Sequence, residues 1–66
     1  MWYDLRKGEV MKVFVYDKKD NDTIAIIKNV KFVEEVKAEC LITFTDWADN
    51  RFTYNTNKVK TRIYQN

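Results

Sequence analysis

Apolar and polar side chains alternate most regularly through Glu35–Thr45, E-V-K-A-E-C-L-I-T-F-T. Val36, Ala38, Cys40, Ile42 and Phe44 fall in one phase, and Glu35, Lys37, Glu39, Leu41, Thr43 and Thr45 in the other. A strand sends successive side chains to opposite faces, so this period of two predicts a central strand with one buried and one wet face. A helical period competes upstream, where Val30, Val33 and Val36 recur every third residue. It stops at Glu39, because Leu41–Thr45 is rich in β-branched and aromatic residues. Leu41 is the one apolar group on the polar face and needs a cover. The Trp2–Leu5 segment, the far wall of a barrel or a second subunit would each provide one.

The same logic places four further strands. Val10–Tyr16 (V-M-K-V-F-V-Y) is almost continuous β-former, with Val13 and Val15 facing one way and Phe14 and Tyr16 the other. Thr23–Ile27 resumes after a polar hairpin loop, Asp17–Asp22. Ile24 and Ile26 share a phase with Val30 and Phe32, and the Lys28-Asn29 step between them predicts a bend or bulge. Asp46–Asn50 reads as a turn leading into Arg51–Asn55, whose Phe52 and Tyr54 share a face. Asn55-Thr56-Asn57 reads as a connector or 3₁₀ turn. Lys58–Tyr64 closes the chain with Val59, Thr61 and Ile63 inward and Lys58, Lys60, Arg62 and Tyr64 outward. The first nine residues fit a short strand or a helical turn in which Trp2, Tyr3 and Leu5 cap an open barrel end, and Gly8 marks the turn into the first long strand.

Five short antiparallel strands with tight polar turns cannot cover both faces of a flat sheet. The expected fold is all-β, a small five-stranded antiparallel meander curled into an SH3-like barrel, with residues 1–66 forming a single small β-barrel domain. Sixty-six residues allow one modest core. Two Trp, four Tyr and four Phe supply large areas to bury. A lone cysteine cannot form an intramolecular disulfide, so packing or oligomerisation must hold the fold. No apolar run approaches the roughly 20 residues that span a bilayer, and Met1–Lys7 lacks the basic-then-apolar order of a signal peptide. A cytoplasmic location follows as the expectation, with no membrane partner.

Candidate chemistry is narrow. Histidine is absent, which removes Ser-His-Asp and Cys-His arrangements and imidazole metal sites. Cys40 alone cannot hold structural zinc and reads as a small buried hydrophobe. One glycine rules out a glycine-rich phosphate loop. Asp17, Asp20 and Asp22 lack the glycine and terminal glutamate of a calcium loop, and Glu34 and Glu35 point to opposite faces of a regular strand. No enzyme, cofactor or small-molecule substrate is expected, and a hydrolase would have only loop carboxylates such as Asp46 and Asp49 to use.

The net charge of +2 demands no nucleic-acid partner, but its distribution is uneven. Residues 34–50 hold five acids and one base, and residues 51–66 hold Arg51, Lys58, Lys60 and Arg62 with no acid. Pairing of charges between neighbouring strands is the ordinary use of such asymmetry. On the last strand Lys58, Lys60 and Arg62 recur about 6.6–6.8 Å apart with Tyr64 beyond. That spacing suits a phosphate backbone with a stacking ring, although Lys and Arg also protect edge strands from aggregation. Three bases alone give modest affinity, which makes protection the more ordinary use. Trp47, between Asp46 and Asp49, is the candidate anchor for a protein partner or a cation.

The stretches V-Y-D-K-K, T-I-A-I-I-K-N-V-K-F-V-E-E-V, F-T-Y-N and V-K-T-R-I-Y-Q-N make Met11–Asn66 resemble small β proteins of bacteriophages and mobile elements of Gram-positive bacteria. Met1–Val10 departs from that pattern, since such proteins often begin near the position of Met11. The resemblance implies an accessory gene product that binds something, in the host cytoplasm if phage-encoded. The expected function is therefore non-enzymatic binding, through protein–protein contact or self-association at Trp47, Asp46 and Asp49. The alternative is a small nucleic-acid-binding barrel using Lys58, Lys60, Arg62 and Tyr64.

Overall fold

The computed structural model of the protein describes residues 2–4 and 10–65, with side chains over 10–65. The strands are β1 (Trp2–Asp4), β2 (Met11–Asp17), β3 (Thr23–Val36), β4 (Leu41–Asp46), β5 (Arg51–Asn55) and β6 (Val59–Gln65). They form one antiparallel sheet in the order β5-β4-β3-β2-β6, and β1 pairs with β3 at Phe32–Glu34, beyond the reach of β2. The chain is thus all-β and antiparallel, as its alternation predicts. β1 adds a sixth strand from the ambiguous N-terminal segment; the expectations for Leu5 and Gly8 lie outside the described residues.

The sheet is curled but not closed. β5 and β6 lie at opposite edges and are consecutive in the chain, joined by residues 56–58. That link can span at most about 14 Å, whereas the edges of a flat five-strand sheet lie about 19 Å apart. The sheet must therefore bend to bring them near. Two backbone hydrogen bonds tether the link across that end, Thr56 N to Cys40 O at 2.8 Å and Lys18 N to Lys58 O at 3.0 Å. Among the described residues no ladder joins β5 to β6, so the barrel expected from strand count stops short of hydrogen-bonded closure.

β3 is the longest strand, at 14 residues, and the sheet is organised around it. Its inward residues are Ala25, Ile27, Val30 and Val33, spaced first by two and then by three. Each three-residue step coincides with a register shift. Ile27–Val30 faces Val13–Met11 of β2, and Val30–Phe32 faces Asp46–Thr45 of β4. An extra residue on the bulged strand restores the inward phase and bends the strand. Asn29 sits at φ 58, a left-handed value that Asn tolerates better than most residues. The Lys28-Asn29 step is the predicted bulge, and it also resets the phase. Ile24 and Ile26 are each half-exposed, while Ile27 and Val30 are buried.

The continuous strand expected over Glu35–Thr45 does not form. β3 ends at Val36, Lys37–Glu39 make a 3₁₀ turn, and Cys40 adopts φ 56, ψ 43 before β4 begins at Leu41. Of the five apolar groups in the predicted inward phase only Ile42 and Phe44 are buried. Val36 and Ala38 are exposed and Cys40 is half-buried, so Cys40 is a turn residue and not a core hydrophobe. The reason is local. Lys, Ala and Glu favour helical dihedrals and are depleted in strands, so the alternation of the sequence runs on through a chain reversal, while the inward phase passes from odd-numbered Val33 on β3 to even-numbered Ile42 and Phe44 on β4. Val36 and Leu41 face each other across the resulting hairpin.

The core consists of Met11, Val13 and Val15 from β2, Ile27, Val30 and Val33 from β3, Ile42 and Phe44 from β4, and Val59 from β6. Ala25, Phe52 and Tyr54 pack against it, with the Phe44 and Tyr54 rings 6.3 Å apart. The expected facing of Phe52 and Tyr54 holds. On β6 the inward phase fades along the strand, from buried Val59 through half-buried Thr61 to Ile63 at 40% exposure. The polar loops behave as their residues predict. Asp17 and Asp20 carboxylates accept from Lys19 N and Asp22 N, and Asn55 Oδ1 accepts from Asn57 N.

Candidate nucleic-acid interface and the Trp47 turn

Because Met11, Val13 and Val15 fill the core, the intervening Lys12, Phe14 and Tyr16 emerge on the other face of β2. Antiparallel pairing then aligns them with β6: Lys12 opposite Tyr64, Phe14 opposite Arg62, and Tyr16 opposite Lys60. On the other flank Phe14 lies opposite Ile26 of β3. The Phe14 and Tyr16 rings are nearly parallel, at 11° and 6.3 Å between centroids. Phe14 and Tyr64 meet edge to face at 5.4 Å. Lys12 Nζ sits 5.8 Å from the centre of the Phe14 ring, within cation–π range.

Two adjoining grooves share Tyr16 on this face. The larger, of about 560 Å³, is lined by Lys12, Phe14, Tyr16, Lys28 and Tyr64, with Val10, Met11 and Asn29. The smaller, of about 250 Å³, is lined by Tyr16, Asn21, Lys60, Thr61 and Arg62. The two hold four cationic side chains and three aromatic rings, and no carboxylate lines either. A side-chain hydrogen bond to Tyr64, reinforced by the neighbouring Tyr64 and Tyr16 phenols, raises the pKa of Arg62.

This face differs from the stripe expected on the last strand. Lys60, Arg62 and Tyr64 do share the outer face of β6. Lys58 does not, since it lies in the turn before β6 and its carbonyl accepts from Lys18 N. Lys12 and Lys28 replace it from the neighbouring strands. The sequence does carry a signal for Phe14 and Tyr16, whose phase opposes Val13 and Val15. Their meeting with β6 depends on a pairing between opposite ends of the chain.

The second candidate is the turn Asp46–Asn50. Asp46 Oδ1 accepts from Ala48 N and Asn50 N, both at 2.9 Å, and Oδ2 accepts from Asn50 Nδ2 at 3.0 Å. The Asn50 side chain, with the Asn50 and Ala48 amides and the Lys31 charge, lowers the Asp46 pKa below its ordinary 3.8. Asp49, at φ 65, pairs with Lys31 at 2.6 Å. The same Lys31 ammonium lies 5.4 Å from the centre of the Trp47 ring. Both aspartates therefore have local structural work, and the cation over Trp47 belongs to the chain itself. Trp47 remains 41% exposed beside a shallow groove of about 430 Å³ formed with Val10, Asn29, Asp46 and Ala48. Charges do pair, Lys31 of β3 with Asp49 in the β4–β5 turn and, more loosely at 4.0 Å, Arg51 of β5 with Glu34 of β3, but neither is the expected pair on neighbouring strands, since β4 lies between β3 and β5.

Among the described residues no three His, Cys, Asp or Glu side chains come together as a metal site, and no helix is long and apolar enough to cross a membrane. No protein-family model, curated protein or solved structure matches this chain.

Proposed function

We propose that the protein is a non-enzymatic nucleic-acid-binding module that works through the outer face of β3, β2 and β6. The observation carrying this is the composition of the two joined grooves, with Lys12, Lys28, Lys60 and Arg62 around Phe14, Tyr16 and Tyr64 and no carboxylate among the lining residues. Cations supply the sequence-independent attraction to phosphates, and aromatic rings supply surfaces for bases. Edge protection accounts for Lys60 and Arg62 on β6. It does not account for Lys12, which lies on an internal strand, or for three rings gathered beside it. The strand order and the tethered β5–β6 link also support reading the fold as an incompletely closed barrel of the SH3-like kind.

Fluorescence anisotropy with a labelled oligonucleotide at 50 and 200 mM salt tests the function. Four phosphate contacts would make the affinity for a single strand fall roughly 50-fold across that range. Lys60→Glu and Arg62→Glu should each weaken binding strongly at low salt while the melting temperature holds. Absence of binding at 50 mM salt rejects the reading.

A second reading, binding of a protein partner or of a second copy, draws on the half-exposed Ile24 and Ile26 and on Trp47. It fits the accessory role implied by the resemblance to phage proteins. Light scattering after size exclusion, with a pull-down comparing wild type and Trp47→Ala, addresses it. A strict monomer whose variant keeps every partner removes it.

A further inference from the structure

We infer that the outer face selects single-stranded over duplex nucleic acid, with unstacked bases engaging Tyr16 and Phe14 along β2; this rests on the nucleic-acid reading above. Rings gain stacking energy only from base faces, and a duplex seals those faces inside its own stack. Tyr16 and Phe14 lie two residues apart on one strand, nearly parallel and 6.3 Å between centroids, so they offer stacking surfaces in succession along a line. Tyr64 stands edge-on to Phe14 at 5.4 Å and borders the larger groove.

The cations flank this line. Lys60 and Arg62 lie opposite Tyr16 and Phe14 on β6, and Lys12 and Lys28 border the larger groove with the rings. A single strand laid along β2 can therefore keep phosphates near the bases of β6 while its own bases meet the rings. Reading a duplex requires the opposite shape. The major groove admits a projecting helix or two-stranded ribbon. Here the aromatic groups line recesses in a sheet, and the helical segment described is the three-residue turn Lys37–Glu39, which belongs to the β3–β4 hairpin.

The decisive experiment compares a labelled 12-nucleotide single strand of mixed sequence with its own duplex, by anisotropy at fixed low salt, for wild type, Tyr16→Leu, Phe14→Leu, Tyr64→Leu and Tyr16→Phe. The single strand should bind at least tenfold more tightly than the duplex. Leucine at position 16 or 14 should cost roughly 5- to 150-fold in single-strand affinity, leave duplex affinity alone and leave the salt slope unchanged. Tyr16→Phe should bind like wild type. Phe14 and Tyr16 are only half-buried, and melting curves identify any variant that fails to fold. In that event the exposed Tyr64→Leu, with the remaining variants, carries the test. Equal affinity for strand and duplex, or folded leucine variants that bind as wild type, overturns the inference while nucleic-acid binding stands. Failure of both probes to bind wild type overturns the two together.

Discussion

Asp46 shows how one carboxylate can specify a turn. It accepts three hydrogen bonds from Ala48 and Asn50, and Lys31, which closes the turn's far side through Asp49, adds a favourable charge. All these contacts prefer the ionised form, so the folded pKa lies below the ordinary 3.8. A group depressed in this way stabilises the fold above its unfolded pKa, and that contribution is lost as pH falls through the folded value. Asp46→Ala should therefore melt at a lower temperature than wild type at pH 7. The gap should narrow steadily as pH is lowered from 3.8, which melting curves between neutral and strongly acidic pH would follow. A gap independent of pH would mean that the charge contributes nothing. The turn itself was legible from D-W-A-D-N, because Asp and Asn side chains bond nearby backbone. The lysine over Trp47 was not, since Lys31 reaches it only through the β3–β4 pairing.

At the scale of elements the β3–β4 hairpin is the instructive case. Its unbroken alternation reads as one strand, yet Cys40 occupies the left-handed region at φ 56. Substitutions separate the two conformations. In a strand Cys40→Val would be favourable. At this turn a β-branched residue should be destabilising, because it fits the left-handed region worse than cysteine does, whereas Cys40→Gly exchanges relief of the strain that cysteine already bears for chain entropy and should stay within about 1 kcal/mol of wild type. Urea unfolding of the two variants measures both, and a stabilising valine would restore the continuous strand. The opposite error was latent at Val30 and Val33, whose threefold spacing imitates a helix. Bulges produce that spacing by inserting a residue into β3 while its inward phase is kept. Periodicity therefore fixes neither burial nor chain direction across a turn or a bulge.

For the molecule as a whole, stability rests on one apolar face folded toward itself. Phe44, fully buried at the centre of β4, is the largest side chain in that core. Phe44→Ala should cost about 3–5 kcal/mol, much of the about 3–10 kcal/mol expected for a chain of this length. Urea unfolding should show the variant's midpoint lowered accordingly, and a loss below about 1 kcal/mol would mean the site collapses around the smaller residue. The chain's own order of residues settled the all-β class and the Asn and Asp turns, because these follow from side-chain parity and local backbone bonding. It also settled the absence of histidine chemistry. Tertiary structure alone decided that β2 meets β6 and that β1 meets β3. Ladder hydrogen bonds are made by a backbone common to all residues, so the partner of a strand is chosen by burial over the whole chain. That choice set Arg62 opposite Phe14 and Lys60 opposite Tyr16. It converted two unrelated alternations at opposite ends of the sequence into one basic, aromatic surface.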